Sequence, residues 1–397
     1  TNGSDRDDTQ DPRCVGPAEE LPIPILCLCY ESTQATWDAL DEDQLEIYDG
    51  LLERLQNEDI IDPAIVLNAT GCQPEHQALL GTTIGLSVRE TTATRESIPY
   101  GSVGKWYALL YFFVVMGGVD WKANEGWFVE GRNVCSWDGI TCIFLDTIQK
   151  LTLPSNDLRG TLPSIIQYMT DLRQLDLSDN KDIAGAIPAE IGNMTALAAL
   201  SFSGNGLAGP IPSEIGLLTR LDTLALSSNN LSGNIPSQLF QMETLETLQL
   251  SRNQLTGLIP IPAHSTPRNT RLTTLELNHN RLTGFIPSSI AHLTSLEIFN
   301  IAVNQLNQTP PTSMELPVRL EFVNVYQSGL RALTVGTMCD PEVPHPPQRV
   351  IAVDCLRYGN SDDDIRELCP CCTLNGDNET AMVRIICAED LADFGEV

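Results

Sequence analysis

The chain has 397 residues and a formal net charge of −29 at pH 7. A surface this acidic repels the phosphates of nucleic acids and of anionic membranes, so we expect neither as a partner. The acid is concentrated at the two ends: residues 1–104 hold 20 acidic and 5 basic residues, and residues 339–397 hold 13 and 4. The middle of the chain is closer to neutral and should have a different organisation.

The first 104 residues form an acidic, cysteine-bearing region with one clear secondary-structure signal. Seven apolar residues recur there at helical spacing, and they predict one amphipathic helix that ends near Asp62 and Pro63. These residues are Trp37, Leu40, Leu45, Tyr48, Leu51, Leu52 and Leu55. Core packing is the simplest role for such a helix. The acidic runs at residues 5–8 and 362–364 lack the glycine and terminal glutamate of an EF-hand loop, which favours solvated charge over calcium binding.

Seven asparagines recur in the middle of the chain at intervals of 24 to 27 residues, each within the frame LxxLxLxxN or a close variant. They are Asn156, Asn180, Asn205, Asn229, Asn253, Asn280 and Asn304. In this frame the leucines point inward from a short strand, and the asparagine amide can bond the buried turn backbone and the asparagine of the next coil. The period predicts an α/β solenoid, a leucine-rich-repeat array with a parallel concave β-sheet, over residues 148–333.

After each asparagine most coils continue with Leu-x-Gly-x-Ile-Pro, as at residues 207–212 and 231–236. In this feature the chain resembles the plant-specific class of leucine-rich repeats found in receptor-kinase ectodomains and polygalacturonase-inhibiting proteins. The upstream boundary matches as well, because Cys135, Trp137, Gly139 and Cys142 fit the CxWxGxxC signature of that class. The resemblance implies that residues 105–147 form an N-terminal cap and that Cys135 and Cys142 close it with a disulfide.

The 12 cysteines fall into blocks of four, two and six, so each block can pair within itself. Disulfides and an extracellular location explain this better than zinc, because the closely spaced Cys369, Cys371 and Cys372 fit a tetrahedral ligand set poorly. Residues 334–397 hold six of the cysteines and two strand-like runs, at 350–355 and 382–387, which predicts a cysteine-rich cap on the last coil. Its Cys-Pro-Cys-Cys motif departs from the plant class and resembles the secreted leucine-rich-repeat proteins of diatoms and related algae.

Several shorter signals bear on location and processing. Sequons predict N-glycosylation at Asn68, Asn193, Asn230 and Asn378, as in a secreted or cell-surface protein. The longest apolar run, residues 106–116, is too short for a transmembrane helix, which needs about 20 residues. The chain begins without the basic start and apolar stretch of a signal peptide, so we expect a mature or trimmed form, with an anchor outside it left open. The proline-containing insertion at 261–270 predicts a loop on the convex side.

Catalytic motifs such as HExxH and GxSxG do not occur, so we expect neither enzyme activity nor a cofactor. Outward-facing strand positions change instead from small side chains in the early coils to larger polar and aromatic ones later. These later residues predict a ligand-binding patch: Arg252, Glu276, His279, Asn300, Phe322 and Tyr326. Two structural alternatives remain, a C-terminal cap that folds over Phe322 and Tyr326, and an ion pair between Arg252 and Glu276. Protonation of His279 near Glu276 would make affinity vary between about pH 5 and 7.

Two functions therefore stay open at this point. The first is an extracellular recognition module whose concave face binds a protein, a peptide or a wall glycan, as the resemblance implies. The second is a structural or adhesive component of the cell wall or extracellular matrix, which self-associates through its acidic flanks. Repeat scaffolds present extended binding surfaces, which favours the first. A solvent-open concave face would support recognition, and a covered face would support the structural role.

Overall fold

The computed structural model describes residues 42–57, 78–79, 103–127, 133–143, 147–262, 270–307, 317, 319–325, 327–329, 349–353, 372–374 and 383–387. The chain divides into two compact units, Thr1–Leu172 and Arg173–Val397. This division falls one coil inside the predicted repeat array, and the boundaries of the four predicted regions stay predictions. The predicted features at Asn68, Asn378 and Tyr326, and most of the predicted loop at 261–270, lie outside the described residues.

The described residues of the first unit include the helices α1 (Glu42–Asn57) and α2 (Val103–Val115). In α1 the side chains of Tyr48, Leu51 and Leu55 are buried at spacings of three and four residues, as expected for this part of the predicted amphipathic helix, whereas Trp37 and Leu40 lie outside the described residues. Helix α2 is apolar on nearly every side and is buried accordingly, with Tyr107, Phe112 and others fully inaccessible to solvent.

The segment after α2 is an aromatic cap closed by a disulfide. Cys135 and Cys142 are bonded, with their Cα atoms 5.5 Å apart, as the resemblance implied. Strand β1 (Ile140–Ile143) contains the second cysteine and pairs antiparallel with β2 (Thr147–Thr152), and β3 (Arg159–Thr161) follows. The ring centroids of Trp121 and Trp127 lie 5.2 Å apart, and both indole N–H groups donate to backbone carbonyls, which satisfies their polar atoms inside an apolar cluster.

The second unit contains the predicted parallel sheet, with one strand in each coil. Each strand has three residues, the central one buried and its two neighbours pointing to the other face of the sheet. Adjacent strands pair parallel and in register, so that Gln249, Glu276, Asn300 and Asn324 form one row across four coils. The strands are β4 (Gln174–Asp176), β6 (Ala199–Ser201), β8 (Thr223–Ala225), β10 (Thr247–Gln249), β12 (Thr274–Glu276), β14 (Ile298–Asn300) and β16 (Phe322–Asn324).

A second parallel sheet, which the sequence did not predict, is formed by the Leu-x-Gly part of each coil. Its strands in this unit are β5 (Asp182–Gly185), β7 (Gly206–Pro210), β9 (Asn230–Asn234), β11 (Gln254–Gly257), β13 (Arg281–Gly284) and β15 (Gln305–Leu306). The recurrent glycine has a positive φ, 84° at Gly209 and 78° at Gly257, a conformation that L-residues with a side chain rarely adopt.

The Ile-Pro pair that follows this glycine ends the second-sheet strand and starts a short 3-10 helix. Proline occupies the N-cap of each of these helices, where its fixed φ suits the turn. The helices in this unit are Ala189–Asn193, Ser213–Leu217, Ser237–Gln241 and Ser288–His292. Their buried isoleucine, leucine and phenylalanine side chains close the core opposite the concave sheet.

The repeat asparagines are buried and join neighbouring coils. The amide of Asn229 donates to the carbonyl oxygens of Phe202 and Leu226 at 2.8 and 3.2 Å, and its Oδ1 accepts from the backbone N–H of Leu207 at 3.0 Å. Asn253 and Asn280 make the equivalent bonds one and two coils later. The predicted contact with the turn backbone is therefore correct, and the predicted link to the next asparagine is present at one place, where the backbone N–H of Asn180 donates to Asn205 Oδ1 at 2.8 Å. In the later coils the asparagine side chain bonds backbone groups of the preceding coil instead.

The C-terminal segment adds strands to the edge of the concave sheet. Strand β17 (Arg349–Val353) pairs parallel with β16, β19 (Val383–Cys387) pairs parallel with β17, and β18 (Cys372–Leu374) pairs with β19. Both strand-like runs of the sequence thus form strands. In register, Val350 is the partner of Phe322, so these described strands continue the sheet sideways and do not lie across its face. Within the described ranges, helices are all too short or too polar to cross a membrane.

Candidate functional site

The structure brings together five of the six residues of the predicted patch. Glu276 and Asn300 are register partners on β12 and β14, Phe322 lies on β16, and Arg252 and His279 follow their strands directly. Neighbouring parallel strands are about 4.8 Å apart, so these residues span four successive coils over roughly 15 Å. The sixth residue, Tyr326, lies outside the described residues.

Glu276 is half-buried, and its partner is an amide rather than a cation. Gln249 Nε2 donates to Glu276 Oε2 at 3.3 Å across the two strands. Burial raises the pKa of Glu276, and the hydrogen bond from Gln249 opposes this to a smaller extent. The predicted ion pair with Arg252 is not among the salt bridges of the described residues, because Arg252 lies three residues beyond Gln249, level with Asn278.

His279 lies next to Arg252 in the turn that follows the strands. Its backbone N–H donates to Ala302 at 2.9 Å, and the Arg252 N–H donates to Asn278 at 2.8 Å. Burial lowers the pKa of His279, and the charge of Arg252 lowers it further. The charged group that shifts the pKa of this imidazole is therefore the Arg252 cation, and not the Glu276 carboxylate that the sequence suggested. His279 is correspondingly neutral at pH 7.

Asn300 and Phe322 differ in how much of each side chain reaches the surface. Asn300 is only 6% exposed, and its Oδ1 accepts from the backbone N–H of Ala302 at 3.2 Å, so much of its amide is used within the coil. Phe322 is half-buried, as is Ile298, which lies beside it in register on β14. These two side chains give the late coils an apolar strip next to the polar row of Glu276 and Asn324.

The early coils present a smaller and more self-contained surface. Ser203 Oγ accepts from the backbone N–H of Ser227 at 3.2 Å, and Ser227 Oγ accepts from Ser251 Oγ of the following coil at 2.8 Å. At the start of the sheet, Asp176 Oδ1 accepts from both the N–H and the hydroxyl of Ser178. The polar groups of these coils are thus largely satisfied by one another, which leaves few of them for a partner.

One backbone position next to the patch was missed by the sequence reasoning. The residue directly before each asparagine has a positive φ, and in the late coils this residue is Arg252, His279 or Val303, with φ of 55°, 55° and 52°. Early coils place Asp179, with φ 59°, and Ser228, with φ 57°, at the same position. A β-branched residue is rare in this conformation, and this could have drawn attention to Val303.

The described sequons lie away from the concave sheet. Asn193 is exposed at the end of a 3-10 helix, and Asn230 is exposed at the start of β9 in the second sheet. Glycans at these positions would leave the patch uncovered, and glycosylation itself stays a prediction. Among the described residues there is no group of three His, Cys, Asp or Glu side chains that could hold a metal ion.

Comparison with known proteins agrees with this architecture. The family model for the Leucine Rich Repeat matches residues 220–242, 244–264 and 271–293. The repeats are similar to those of plant receptor-like proteins. The chain is 37% identical over 113 residues to the leucine-rich repeat receptor-like serine/threonine-protein kinase RGI4 of Arabidopsis thaliana, and 32% identical over 108 residues to Protein MALE DISCOVERER 1 of the same plant. These alignments cover 28% and 27% of this chain, but only 10% and 15% of the relatives.

Solved structures give the same picture over a longer part of the leucine-rich-repeat chain. The crystal structure of PEPR1-AtPEP1 has a TM-score of 0.51 and 27% identity, and the match covers 64% of this chain and 38% of that one. The crystal structure of a plant ice-binding protein has a TM-score of 0.50 and 28% identity, with 63% and 72% covered. The kinase relatives match this chain over a small share of their length, so their whole activity is not transferred to it.

Proposed function

We propose that this leucine-rich-repeat chain is an extracellular recognition module that binds a peptide or protein segment on the concave face of its late coils. The observation that carries the proposal is the contrast along one sheet: in the early coils short side chains bond one another, while the late coils present a carboxylate, a guanidinium and apolar side chains together. Such a mixture is typical of contact surfaces. The receptor-like relatives support a cell-surface or secreted location.

The chemistry of the late coils favours a peptide over a glycan. Gln249 and Glu276 offer amide and carboxylate groups that suit backbone N–H and C=O groups of an extended chain, and Phe322 and Ile298 offer apolar surface for its side chains. An extended segment can cross several coils, because the rows of the sheet repeat about every 4.8 Å, somewhat more than one residue of such a segment. Strands β17 to β19 continue the concave sheet at its edge and do not lie across it. This supports a recognition function over a structural role, for which a covered concave face was expected.

The test begins with a displayed random peptide library panned on the full chain. The most enriched synthetic peptide is then titrated by calorimetry against the wild type, Arg252→Ala and Arg220→Ala. Arg220 is a matched control, because it is exposed but lies before its strand and outside the patch. We expect Arg252→Ala to weaken binding by about 2 kcal/mol and Arg220→Ala to change it little. Equal binding by both variants, or no enriched peptide, would contradict the proposal.

The second sheet favours one further candidate function, binding to an ordered neutral surface such as ice. Strands β7, β9 and β11 contain no charged residue, although the protein is strongly acidic. Hydroxyl groups recur at equivalent repeat positions in Ser232, Thr256 and Thr283, and a plant ice-binding protein is similar in structure to this chain. A measurement of ice recrystallisation with wild type and Thr256→Lys tests this candidate. A glycan on Asn230 would stand on the same face and would argue against it.

A further inference from the structure

The position before each repeat asparagine has its left-handed backbone conformation imposed by coil stacking. Its carbonyl oxygen accepts from the asparagine N–H of the preceding coil, at 3.2 Å from Asn229 to Arg252, 3.1 Å from Asn253 to His279 and 3.2 Å from Asn280 to Val303. The hydrogen bond is the same for an arginine, a histidine and a valine at this position. The fold therefore fixes the conformation, and the sequence decides how much strain it causes.

The residues at this position differ along the array in how well they tolerate it. Gly204, Asp179 and Ser228 in the early coils have no side chain or a short polar one. Asparagine, aspartate and glycine adopt positive φ most readily, whereas a β-branched residue there is a genuine outlier. Val303, with φ 52°, is thus the most strained member of the series. A residue that destabilises its own coil points to a role other than folding.

Burial does not explain the valine. Val303 is only half-buried, while the two residues before it, Ile301 and Ala302, are 0% and 3% exposed and already fill the interior. Its position follows those of Arg252 and His279 in the two preceding coils, at the rim of the patch. The side chain has no hydrogen-bonding group, so any partner that uses it must present an apolar surface.

We infer that Val303 forms an apolar subsite at the rim of the concave face and receives an aliphatic or aromatic side chain of a bound peptide. This inference rests on the proposed function and adds to it both a residue and a ligand chemistry. Arg252 and His279, on the two preceding coils, then place polar groups beside the same bound side chain. The strain at Val303 is retained because binding requires an apolar side chain where folding alone would favour asparagine or glycine.

The test uses substitutions whose effects on stability and on binding have opposite signs. Val303→Asn relieves the strain, so we expect its Tm to rise by about 2 °C or more. The same variant removes the apolar contact, so the peptide enriched on the wild type should bind it at least about fivefold more weakly. Val303→Leu keeps an apolar side chain without the β-branch and should bind within about twofold of wild type. Ser228→Asn, at the equivalent position of an early coil, is the matched control and should leave binding unchanged.

The outcomes distinguish a failure of the Val303 subsite from a failure of the proposed recognition function. A lower Tm for Val303→Asn would show that the valine packs the fold, and unchanged peptide binding would remove the subsite; either result overturns the inference. If Arg252→Ala weakens binding while Val303→Asn does not, the proposed recognition function stands and the inference alone fails. If the library yields no peptide, or yields one that is insensitive to Arg252→Ala, both are wrong.

Discussion

The early and late coils of this array share one interior and differ on one face. Asn229 in an early coil and Asn280 in a late coil make the same three bonds, two to the preceding coil and one within their own coil. On the concave face, by contrast, the early serines bond one another, while Glu276 and Arg252 have separate surroundings. The repeat therefore constrains the inward positions in every coil, and it leaves the outward positions free to vary for recognition.

The largest expected effect tests whether the two interiors are equivalent. Asn229→Ala and Asn280→Ala each remove the side-chain acceptor of one buried backbone N–H and one of the two amide donors of two buried carbonyls. Each should lower the free energy of unfolding by about 3 kcal/mol in urea denaturation. The exposed Asn234→Ala should change it by less than about 0.5 kcal/mol. Costs for the two buried asparagines that differ by more than about 1 kcal/mol would contradict a shared interior.

Removing the cap disulfide tests how much the bond between Cys135 and Cys142 contributes to the stability of the first unit. Replacing Cys135 and Cys142 with serine should lower stability by about 2 to 3 kcal/mol, because the unfolded chain regains loop entropy. All five tryptophans precede residue 148, so tryptophan fluorescence reports on the first unit and far-UV circular dichroism on the whole chain. If the unfolding midpoint measured by fluorescence were the same in the double variant as in the wild type, the aromatic cluster would stabilise the cap without the disulfide.

The outward faces can be compared directly through binding. Phe322→Ala should weaken binding of the library-derived peptide by about 2 kcal/mol, because aromatic residues in a contact surface contribute most. Ser203→Ala, in the early coils, should change binding by less than about 0.5 kcal/mol. Titration calorimetry provides both values. Equal effects, or no effect in either case, would end the distinction between early and late coils as binding surfaces.

The serine ladder offers a smaller effect on folding. Ser251→Ala removes the bond to Ser227 Oγ and should cost about 1 kcal/mol of stability, the usual net value of one hydrogen bond. Peptide binding should be unaffected, although the next residue is Arg252. A loss of binding equal to that of Arg252→Ala would show that the ladder belongs to the contact surface.

The pH dependence of stability separates Glu276 from ordinary surface carboxylates. Its pKa is raised from the usual 4.5, so the folded state holds the proton more tightly than the unfolded state does. The ionised carboxylate therefore opposes folding above the raised pKa, and this penalty disappears as the pH falls to about 4 and below. Glu276→Gln should be slightly more stable than wild type at pH 7 and lose that advantage on acidification. Unfolding curves at several pH values, with the exposed Glu243→Gln as control, check this.

His279 is expected to have the smallest effect, with the opposite dependence on pH. Its pKa is lowered from 6.5, so the folded state prefers the neutral ring. Stability should be complete above pH 6.5 and fall as the pH drops from there through the lowered pKa. His279→Gln should remove this acid-dependent loss. A variant that loses stability with the same profile as wild type would mean that other groups cause it.

The sequence determined the interior of this protein almost completely. A period of 24 to 27 residues, with leucines and an asparagine at fixed offsets, predicted the parallel concave sheet, because inward and outward positions follow from local strand geometry. The CxWxGxxC signature gave the Cys135–Cys142 disulfide, and two apolar runs gave β17 and β19. Each of these depends on residues that are close in sequence or repeat at a constant distance.

Tertiary structure decided the contacts between coils, which have no signature along the chain. It paired Glu276 with Gln249 rather than Arg252, placed Arg252 beside His279, and turned much of the Asn300 amide back into its own coil. It also arranged the Leu-x-Gly segments into a second sheet and imposed positive φ on Val303. These features depend on the offset between successive coils and on side-chain rotamers, and only the stacked array fixes both.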